Sequence, residues 1–267
     1  MAEQRTILIT GAGGMIARDL VGLLPDRYRV RLSDRAPIDT DHEFVQAEIT
    51  DPQAIARACA DVDAVIHLGA LTWDFDVRSQ MIPVNIEGVW NVFDAARRAG
   101  ARRIIFASSH HTVGFHHADG TLELTEKAEP RPDTYYAVTK LYGEALARHF
   151  SERYGIHAYC LRIGYYMSPE RIAEGLTRSK EALILSARDL AQMVGLCLEA
   201  PTPRFGVYNC VSRPRRPWLS TAKARAELGY EPRDTVDTIF PGLPEQPEIT
   251  ADGWAWLYGE GSGGSEH

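Results

Sequence analysis

The sequence of 267 residues has few cysteines and no paired cysteines that would bind a metal. Cys59, Cys160, Cys197 and Cys210 form no CxxC pair, and three of them lie in apolar, periodic segments. Buried free thiols are therefore favoured over disulfides or a zinc site. Histidines cluster over residues 110–117, but no carboxylate or cysteine accompanies them at metal-ligand spacing, and adjacent histidines diverge in an extended segment. No metal site is predicted.

Blocks of like charge and long apolar runs are also absent from the sequence. The formal net charge is -7 with acidic and basic residues interspersed, which gives no indication of a nucleic-acid partner or an anionic membrane surface. The first apolar run, residues 7–10, is too short for a signal-peptide core or a membrane span. Because 45% of the residues are hydrophobic, we expect one large core in a cytoplasmic protein.

Strand-like and helix-like segments alternate along most of the chain. Apolar runs such as RTILIT, DAVIHLGA, RRIIFASS and IHAYCLRIG are separated by segments with helical period. This alternation predicts an α/β fold with a doubly wound parallel sheet of the Rossmann type and a small C-terminal substrate-binding part. Because the alternation breaks after Gly164, we expect a dinucleotide-binding core over residues 1–164 and the substrate-binding part over 165–267. Residues 181–211 are expected to return a helix and a strand to the core sheet.

The segment LITGAGGMIARDL predicts a strand, a glycine-rich turn and a helix. The GxGxxG spacing fails, because isoleucine occupies the position of the third glycine, but Gly11, Gly14 and Ala17 are each three residues apart. Gly11 would allow a tight turn, Gly14 would admit a pyrophosphate, and Ala17 would let the helix pack closely on the strand. Asp34 ends the second predicted strand, where a carboxylate binds the adenosine ribose and repels a 2′-phosphate. The pattern favours NAD, although the guanidinium of Arg35 could receive the 2′-phosphate of NADP.

The segment YYAVTK places two tyrosines close to a lysine. Tyr136 and Lys140 are four residues apart and so lie on one face of the predicted helix. A phenol with its ordinary pKa of about 10 is a poor base at neutral pH, but a nearby ammonium favours the phenolate. The spacing alone is common on helices. Because a glycine loop is also present, we interpret Tyr136 as a base and assign Tyr135 to packing.

With TGAGGMIA, DAVIHLGA, VNIEGVWNVFDAARRAG, IIFASS and YYAVTK in this order, the chain resembles the extended short-chain dehydrogenase/reductase family from about residue 5 to residue 232. The resemblance implies that Tyr136, Lys140 and Ser109 are catalytic, with Ser109 holding the substrate oxygen and Lys140 also binding the nicotinamide ribose. It implies NAD as the cofactor, with Glu48 standing where the family usually has aspartate. The implied cofactor-binding positions are Gly11, Gly14, Met15, Ile16, Asp34, Glu48, Ile49, Leu68, Gly69, Ala70, Asn85, Tyr136, Lys140 and Ile163.

Within that family, FASSHHTVGF, RPDTYYAVTKLYGE and LRIG are most similar to members that oxidise uronates with NAD. The similarity implies oxidation of a hexuronic acid, glucuronate or galacturonate, at C1 to the aldarolactone. His110 replaces an asparagine of that pattern, and Tyr165 stands where a small serine is expected. A substrate carboxylate needs a cation, which Arg171 or Arg178 would supply unless both are ordinary surface residues. The implied substrate-binding residues are Thr72, Ser109, His110, His111, Tyr136, Arg171 and Arg178.

Other functions are left open by the sequence. The same fold could oxidise a neutral aldose or act as a nucleotide-sugar 4-epimerase, although the part after Gly164 is short for holding a nucleotide. A non-catalytic NAD-binding protein is disfavoured, because Ser109, Tyr136 and Lys140 are all present.

The resemblance also implies association of identical chains. A homodimer or higher homo-oligomer is expected to form through the helices that carry NIEGVWNVF and YYAVTKLYGEALARHF. The residues expected to supply apolar contact area are Trp90, Phe93, Tyr142 and Leu146.

Overall fold

Residues 4–72, 75–116, 123–174 and 178–242 are described by the structure, a computed structural model. The strands among them are β1 (Arg5–Thr10), β2 (Tyr28–Asp34), β3 (Glu43–Gln46), β4 (Ala64–His67), β5 (Arg103–Ser109), β6 (His157–Ile163), β7 (Tyr165–Tyr166), β8 (Ile184–Leu185) and β9 (Phe205–Cys210). Seven of these described strands form one parallel sheet in the order β3-β2-β1-β4-β5-β6-β9. Strands β7 and β8 pair with each other in a separate parallel ribbon.

Helices connect the strands and cover both faces of the sheet. The α-helices in the described residues are α1 (Met15–Val21), α2 (Pro52–Ala58), α3 (Val89–Arg98), α4 (Tyr135–Tyr154), α5 (Pro169–Glu174), α6 (Arg178–Glu181), α7 (Ala187–Glu199), α8 (Ala222–Leu228) and α9 (Val236–Ile239). Two π-helical segments, Val77–Met81 and Pro83–Gly88, precede α3. A 3₁₀-helical segment, His110–His116, follows β5.

Alternate residues of each central strand pack into two separate apolar clusters. On β5, Ile105 packs in the cluster that includes residues of α1 and α7, whereas Ile104 and Phe106 pack in the cluster that includes residues of α2, α3 and α4. Because successive side chains of a strand point to opposite faces, these clusters are the two helical layers of a doubly wound sheet. The structure therefore confirms the predicted fold class.

The strand order reverses between β1 and β4, and this reversal determines where a ligand can bind. Strand β1 pairs with β2 on one side and with β4 on the other, so the connections after β1 and β4 leave the sheet in different directions. Thr10 and His67, which end β1 and β4, are register partners, and Thr10 Oγ1 lies 2.7 Å from His67 Nδ1. In open α/β sheets, the crevice at such a reversal is the usual ligand site.

Several element boundaries differ from those that the sequence predicts. The segment IPVNIEGVWNVFDAARRAG, residues 82–100, predicts one long helix. The structure instead has a π-helical segment followed by the shorter α3. The strand expected over residues 63–70 ends at His67, so Leu68, Gly69 and Ala70 lie beyond the strand. Helix α7 and strand β9 lie after Gly164, and β9 pairs with β6. The division into a core and a substrate-binding part stays a prediction.

Three features of the structure concern disulfides, metal sites and membrane spans. All four cysteines are buried and free. In the described part of the chain, no group of three or more His, Cys, Asp or Glu side chains is placed to hold a metal ion. No helix in the described ranges is both long and apolar enough to cross a membrane. The cytoplasmic location stays a prediction.

Helix α4 approaches β5 most closely at Gly143. A Cβ atom at this position would lie 2.2 Å from the ring of Phe106, so any larger residue would have to displace the helix or the ring. The approach also places Lys140 Nζ 4.9 Å from the centre of the Phe106 ring. Gly143 therefore fixes the distance between the helix that carries Lys140 and the strand beneath it.

We expect Gly143→Ala to lower the free energy of unfolding by about 1–3 kcal/mol, because the added methyl group overpacks the contact with Phe106. Gly195→Ala on α7 is the matched control, because no atom lies within 4 Å of its added Cβ, and it should stabilise the helix by up to about 1 kcal/mol. Urea unfolding of the two variants measures both effects. Equal stabilities for the two alanine variants would contradict the close approach.

Candidate active site

The turn after β1 brings two loops of the sheet into close contact. Gly11 has φ of 73°, in the left-handed region that favours glycine, and a Cβ there would lie 2.6 Å from the backbone of Gly69. The N–H of Gly14 donates to the carbonyl of Gly11 at 3.0 Å, and α1 begins at the next residue. Ala17 is fully buried against the sheet. These contacts leave the glycine turn facing a groove between the ends of β1 and β4.

Asp34 closes the groove on the side of β2. Its Oδ2 accepts from the N–H of Gly13 at 2.9 Å, and its Oδ1 accepts from the N–H of Ala36 at 3.2 Å. The groove has a volume of about 510 Å³, and Arg35 also lies on its wall. The carboxylate is thus fixed beside the glycine turn, as the ribose of a dinucleotide requires.

Most of the predicted cofactor positions line this groove or the cavity next to it. The groove wall includes Gly11, Gly14, Asp34, Glu48, Ile49, Leu68, Gly69 and Ala70. The neighbouring cavity includes Ile16, Leu68, Ala70, Tyr136, Lys140 and Ile163, so the two spaces share Leu68 and Ala70. The glycine-rich turn, the fixed carboxylate and the continuous wall fit a dinucleotide.

Two predicted cofactor positions, Met15 and Asn85, lie outside the residues that line these spaces. Met15 packs against the apolar cluster beneath α1. Asn85 is buried and exchanges two hydrogen bonds of 2.8 Å with the backbone of Leu71, and its Nδ2 also donates to Thr139 Oγ1 at 3.1 Å. Asn85 therefore ties the loop after β4 to helix α4 in this structure.

Ser109, Tyr136 and Lys140 meet in the second cavity, which has a volume of about 340 Å³. Ser109 is the last residue of β5, whereas Tyr136 and Lys140 lie in the first turns of α4. The side chains of Tyr136 and Ser109 share a hydrogen bond, and the N–H of His111 donates to Ser109 Oγ at 3.2 Å. The structure thus brings together three side chains that the sequence separates by up to 31 positions.

Burial works against the charged forms of both Tyr136 and Lys140. Burial lowers the pKa of Lys140 to about 7. Burial raises the pKa of Tyr136, whereas its hydrogen bond with Ser109 acts in the opposite direction. Lys140 Nζ lies 5.3 Å from the centre of the Tyr136 ring, and a protonated lysine at this position favours the phenolate.

An aspartate that the sequence prediction missed orients one of the two cavity histidines. His111 Nδ1 lies 2.8 Å and 3.0 Å from the two carboxylate oxygens of Asp133, so the nitrogen that carries the proton is Nδ1. The rings of His110 and His111 have centres 4.0 Å apart, because the segment is 3₁₀-helical. The expectation that the two adjacent histidines diverge is therefore wrong. The only sequence signal for the aspartate is its place in RPDTYY, 22 residues from its partner.

Two cations and an aromatic ring also line this cavity. Arg171 Nη1 donates to the carbonyl of Tyr166 at 3.1 Å, and its guanidinium carbon lies 4.6 Å from the centre of the Tyr165 ring. Lys180, which the sequence prediction missed, also lines the cavity, with Nζ 4.8 Å from the same ring centre. Thr72 completes the predicted residues on the wall, which are Thr72, Ser109, His110, His111, Tyr136 and Arg171. The side chain of Arg178 lies outside the described residues.

We expect Asp34→Asn to shift cofactor preference from NAD toward NADP by about tenfold or more, because the repulsion of a 2′-phosphate is removed while the amide oxygen can still accept from Gly13. Asp39→Asn, an exposed neighbour, is the matched control. Titration of each variant with both cofactors by calorimetry gives the ratio of dissociation constants. An unchanged ratio in Asp34→Asn would remove this carboxylate from the cofactor site.

Comparison with known proteins connects this geometry to a family. The model of the NAD dependent epimerase/dehydratase family matches residues 7–219. Uronate dehydrogenase of Pseudomonas putida is 34% identical over 262 residues, covering 96% of this chain and 94% of its own. NAD-dependent glucose-6-phosphate dehydrogenase of Haloferax volcanii is 33% identical, covering 89% of this chain and 97% of its own.

A solved structure adds the cofactor to the comparison. A mutant of uronate dehydrogenase from Agrobacterium tumefaciens, complexed with NAD, is 27% identical and superposes with a TM-score of 0.79 over 91% of each chain. The resemblance, the fold and the expectation of NAD as the cofactor are confirmed. The chain belongs to the NAD dependent epimerase/dehydratase family and is an NAD-dependent oxidoreductase.

Proposed function

We propose that this oxidoreductase oxidises a hexuronate, glucuronate or galacturonate, at C1 to the aldarolactone. The observation that carries the proposal is a single cavity whose lining includes the hydroxyl pair of Tyr136 and Ser109 together with the cations of Arg171 and Lys180. Relatives named uronate dehydrogenase, 33% and 34% identical over 96% of this chain, support the same substrate class.

The residues of the chain divide the chemistry between them. When bound, NAD supplies the acceptor for the hydride that leaves C1. Ser109 holds the oxygen of the C1 hydroxyl by a hydrogen bond, and Tyr136, as the phenolate, removes the proton of that hydroxyl. The ring oxygen stays bonded to C1, so the oxidised product is a lactone. The groove wall from Gly11 to Asp34 and the segment 68–70 would hold the dinucleotide.

Lys140 makes Tyr136 usable as a base at neutral pH. Burial alone disfavours the phenolate and would leave Tyr136 protonated. The ammonium of Lys140, 5.3 Å from the ring centre, offsets this cost whenever it carries its proton. The cavity thus couples the charge of one side chain to the proton affinity of the other.

Other residues that line the cavity would bind the carboxylate and the remaining hydroxyls of the sugar. The planar guanidinium of Arg171 has five N–H groups, so its contact with the carbonyl of Tyr166 leaves others for a carboxylate. His111, whose ring is oriented by Asp133, and His110 and Thr72 would bind sugar hydroxyls. Both cations lie beside the ring of Tyr165, so charged groups and an aromatic ring are adjacent in the cavity, which suits a sugar ring with one anionic substituent.

A sugar 6-phosphate is the second candidate substrate. The same two cations would bind a phosphate monoester, and the glucose-6-phosphate dehydrogenase of Haloferax volcanii is 33% identical to this chain. Oxidation at C1 would then use the same hydroxyl pair. A neutral aldose and a nucleotide sugar are the further alternatives. A neutral aldose gains nothing from the two cations, and a nucleotide sugar, whose diphosphate they could bind, is disfavoured by the short part of the chain after Gly164.

A panel of substrates separates these candidates. NADH fluorescence is followed with NAD and, separately, glucuronate, galacturonate, glucose 6-phosphate, glucose, arabinose or UDP-glucose. We expect turnover with the uronates and a loss of kcat of about 10²–10⁴-fold in Tyr136→Phe, because that variant has no base. The control is Tyr135→Phe, which should keep wild-type activity. Tyr135 is 70% exposed, so the expectation that this tyrosine serves packing is wrong. Turnover with glucose 6-phosphate alone would replace the uronate by the phosphate ester, and turnover with neutral sugars alone would reject both.

We expect Arg171→Ala to raise KM for glucuronate by about 10–100-fold with a smaller change in kcat, because the guanidinium binds the carboxylate away from the reacting carbon. The KM for NAD should stay unchanged. Arg29→Ala, an exposed arginine on β2, is the matched control. Steady-state kinetics give both constants, and a drop in kcat without a change in KM would place Arg171 outside carboxylate binding.

We propose further that two copies associate through helices α3 and α4. Trp90 is 46% exposed on α3 and Val138 is 50% exposed on α4. Exposed apolar side chains on neighbouring helices are typical of a protein–protein interface. The expectation that Phe93 and Leu146 supply contact area is wrong, because both are buried in the core of the single chain. Light scattering should give the mass of a dimer, and Trp90→Lys should halve it. A wild-type monomer would reject the proposal.

A further inference from the structure

A buried ion pair lies one helical turn from Lys140. Glu144 Oε1 and Oε2 each accept from the guanidinium of Arg162 at 2.9 Å, in a bidentate arrangement. The side chains of Glu144 and Arg162 are only 9% and 4% exposed. Ser108 Oγ donates to Glu144 Oε1 at 2.6 Å. The three residues form a closed cluster that we call the Glu144–Arg162–Ser108 cluster.

The cluster connects three elements that line the cavity, α4, β5 and β6. Glu144 follows Lys140 by one turn of α4, so the two side chains lie on the same face of the helix. Ser108 immediately precedes Ser109 on β5 and itself lines the cavity. Arg162 immediately precedes Ile163, which ends β6 and also lines the cavity.

Stability alone is a weak reason for this arrangement. Replacing a buried ion pair by apolar residues of similar volume is often neutral or stabilising, because desolvation offsets the attraction. Here Arg162 Nη1 is buried and has no hydrogen-bond partner, so the guanidinium is not fully satisfied. An ion pair with an unsatisfied donor, placed next to a catalytic lysine, indicates a role in the site.

We propose that Glu144 and Arg162 are positioning residues, in which Glu144 fixes Ser108 at the cavity wall and cancels the guanidinium charge that would otherwise act on Lys140. The inference rests on the proposed roles of Tyr136 and Lys140. Arg162 in turn prevents Glu144 from presenting an unpaired carboxylate to the lysine. The neutral pair therefore holds the strand ends in place without adding net charge to the cavity.

The two members of the pair must act on Lys140 with opposite signs. Without the carboxylate, the remaining guanidinium repels the ammonium and favours neutral Lys140. Without the guanidinium, the remaining carboxylate attracts the ammonium and favours its protonated form. The other titratable groups near Lys140 or Tyr136 are the same in both variants. They are His67, His110, His111, Asp133, Arg171 and Lys180, and Cys160 lies near the ion pair itself.

The chain offers a direct test, because it has only four lysines: Lys127, Lys140, Lys180 and Lys223. Protein labelled with ¹³C in lysine is titrated without cofactor, and Lys140→Arg assigns the signal. In the wild type the midpoint should lie near neutral pH, in line with the pKa of about 7 that burial gives Lys140. We expect Glu144→Gln to lower the midpoint by about one pH unit and Arg162→Met to raise it by about one unit. The double variant should return close to the wild-type value.

Each folded single variant decides the question by itself. Glu144→Gln is nearly isosteric, and its amide oxygen can still accept from Ser108, so this variant should fold. Its Lys140 midpoint can therefore be measured even if Arg162→Met does not fold. A single variant that unfolds cooperatively, binds NAD and shows no shift of the Lys140 midpoint would mean that the pair is purely structural. Shifts of the same sign in Glu144→Gln and Arg162→Met would mean the same. Because Lys140 assists Tyr136 only while it is protonated, the alkaline limb of kcat/KM should move in the same direction as the midpoint for whichever sugar is turned over. Because the lysine titration needs no turnover, absence of uronate oxidation would reject the proposed function and leave this inference standing.

Discussion

The close packing of α4 against β5 is the constraint on which the rest of the site depends. With no side chain at Gly143, the helix lies against the ring of Phe106, and Lys140 and Glu144 reach the ends of β5 and β6 from the same helix face. One helix thus delivers the tyrosine, the lysine and the carboxylate, while the strand delivers the two serines. A displacement of the helix would separate all of these groups together.

The reversal of strand order supplies the second half of the site. Because β1 is flanked by β2 and β4, the glycine turn lies against the segment after β4. The backbones of Gly11 and Gly69 are in contact there, with no room for a side chain at Gly11. The groove that results ends at Asp34 on one side and joins the cavity of Ser109, Tyr136 and Lys140 at Leu68 and Ala70 on the other. The cofactor groove and the substrate cavity are therefore consequences of topology, and only their lining is specific to this sequence.

The features that the sequence predicts well are those with a local signal. The buried strands, the glycine turn with its acid and the Tyr136–Lys140 spacing are each encoded within a few residues, and the structure places them where expected. The pairing of His111 with Asp133 and the cluster of Glu144, Arg162 and Ser108 join residues far apart in the chain, and no spacing rule indicates them. The exposed faces of α3 and α4 were misjudged for another reason: hydrophobicity alone does not tell whether a residue such as Phe93 faces the sheet or the solvent.

The cavity of Ser109, Tyr136 and Lys140 includes both residues with a local sequence signal and residues without one. The hydroxyls of Ser109 and Tyr136 come from motifs with a local signal, whereas the cations of Arg171 and Lys180 come from the less regular segment after Gly164, where no pattern indicates Lys180. The account depends most on the claim that hydride leaves C1 of a hexuronate. The direct measurement is turnover of glucuronate carrying deuterium at C1, with mass spectrometry of the reduced cofactor and NMR of the product. The account predicts that the deuterium is transferred to NADH and that the product is the aldarolactone; deuterium retained in the sugar product would contradict it.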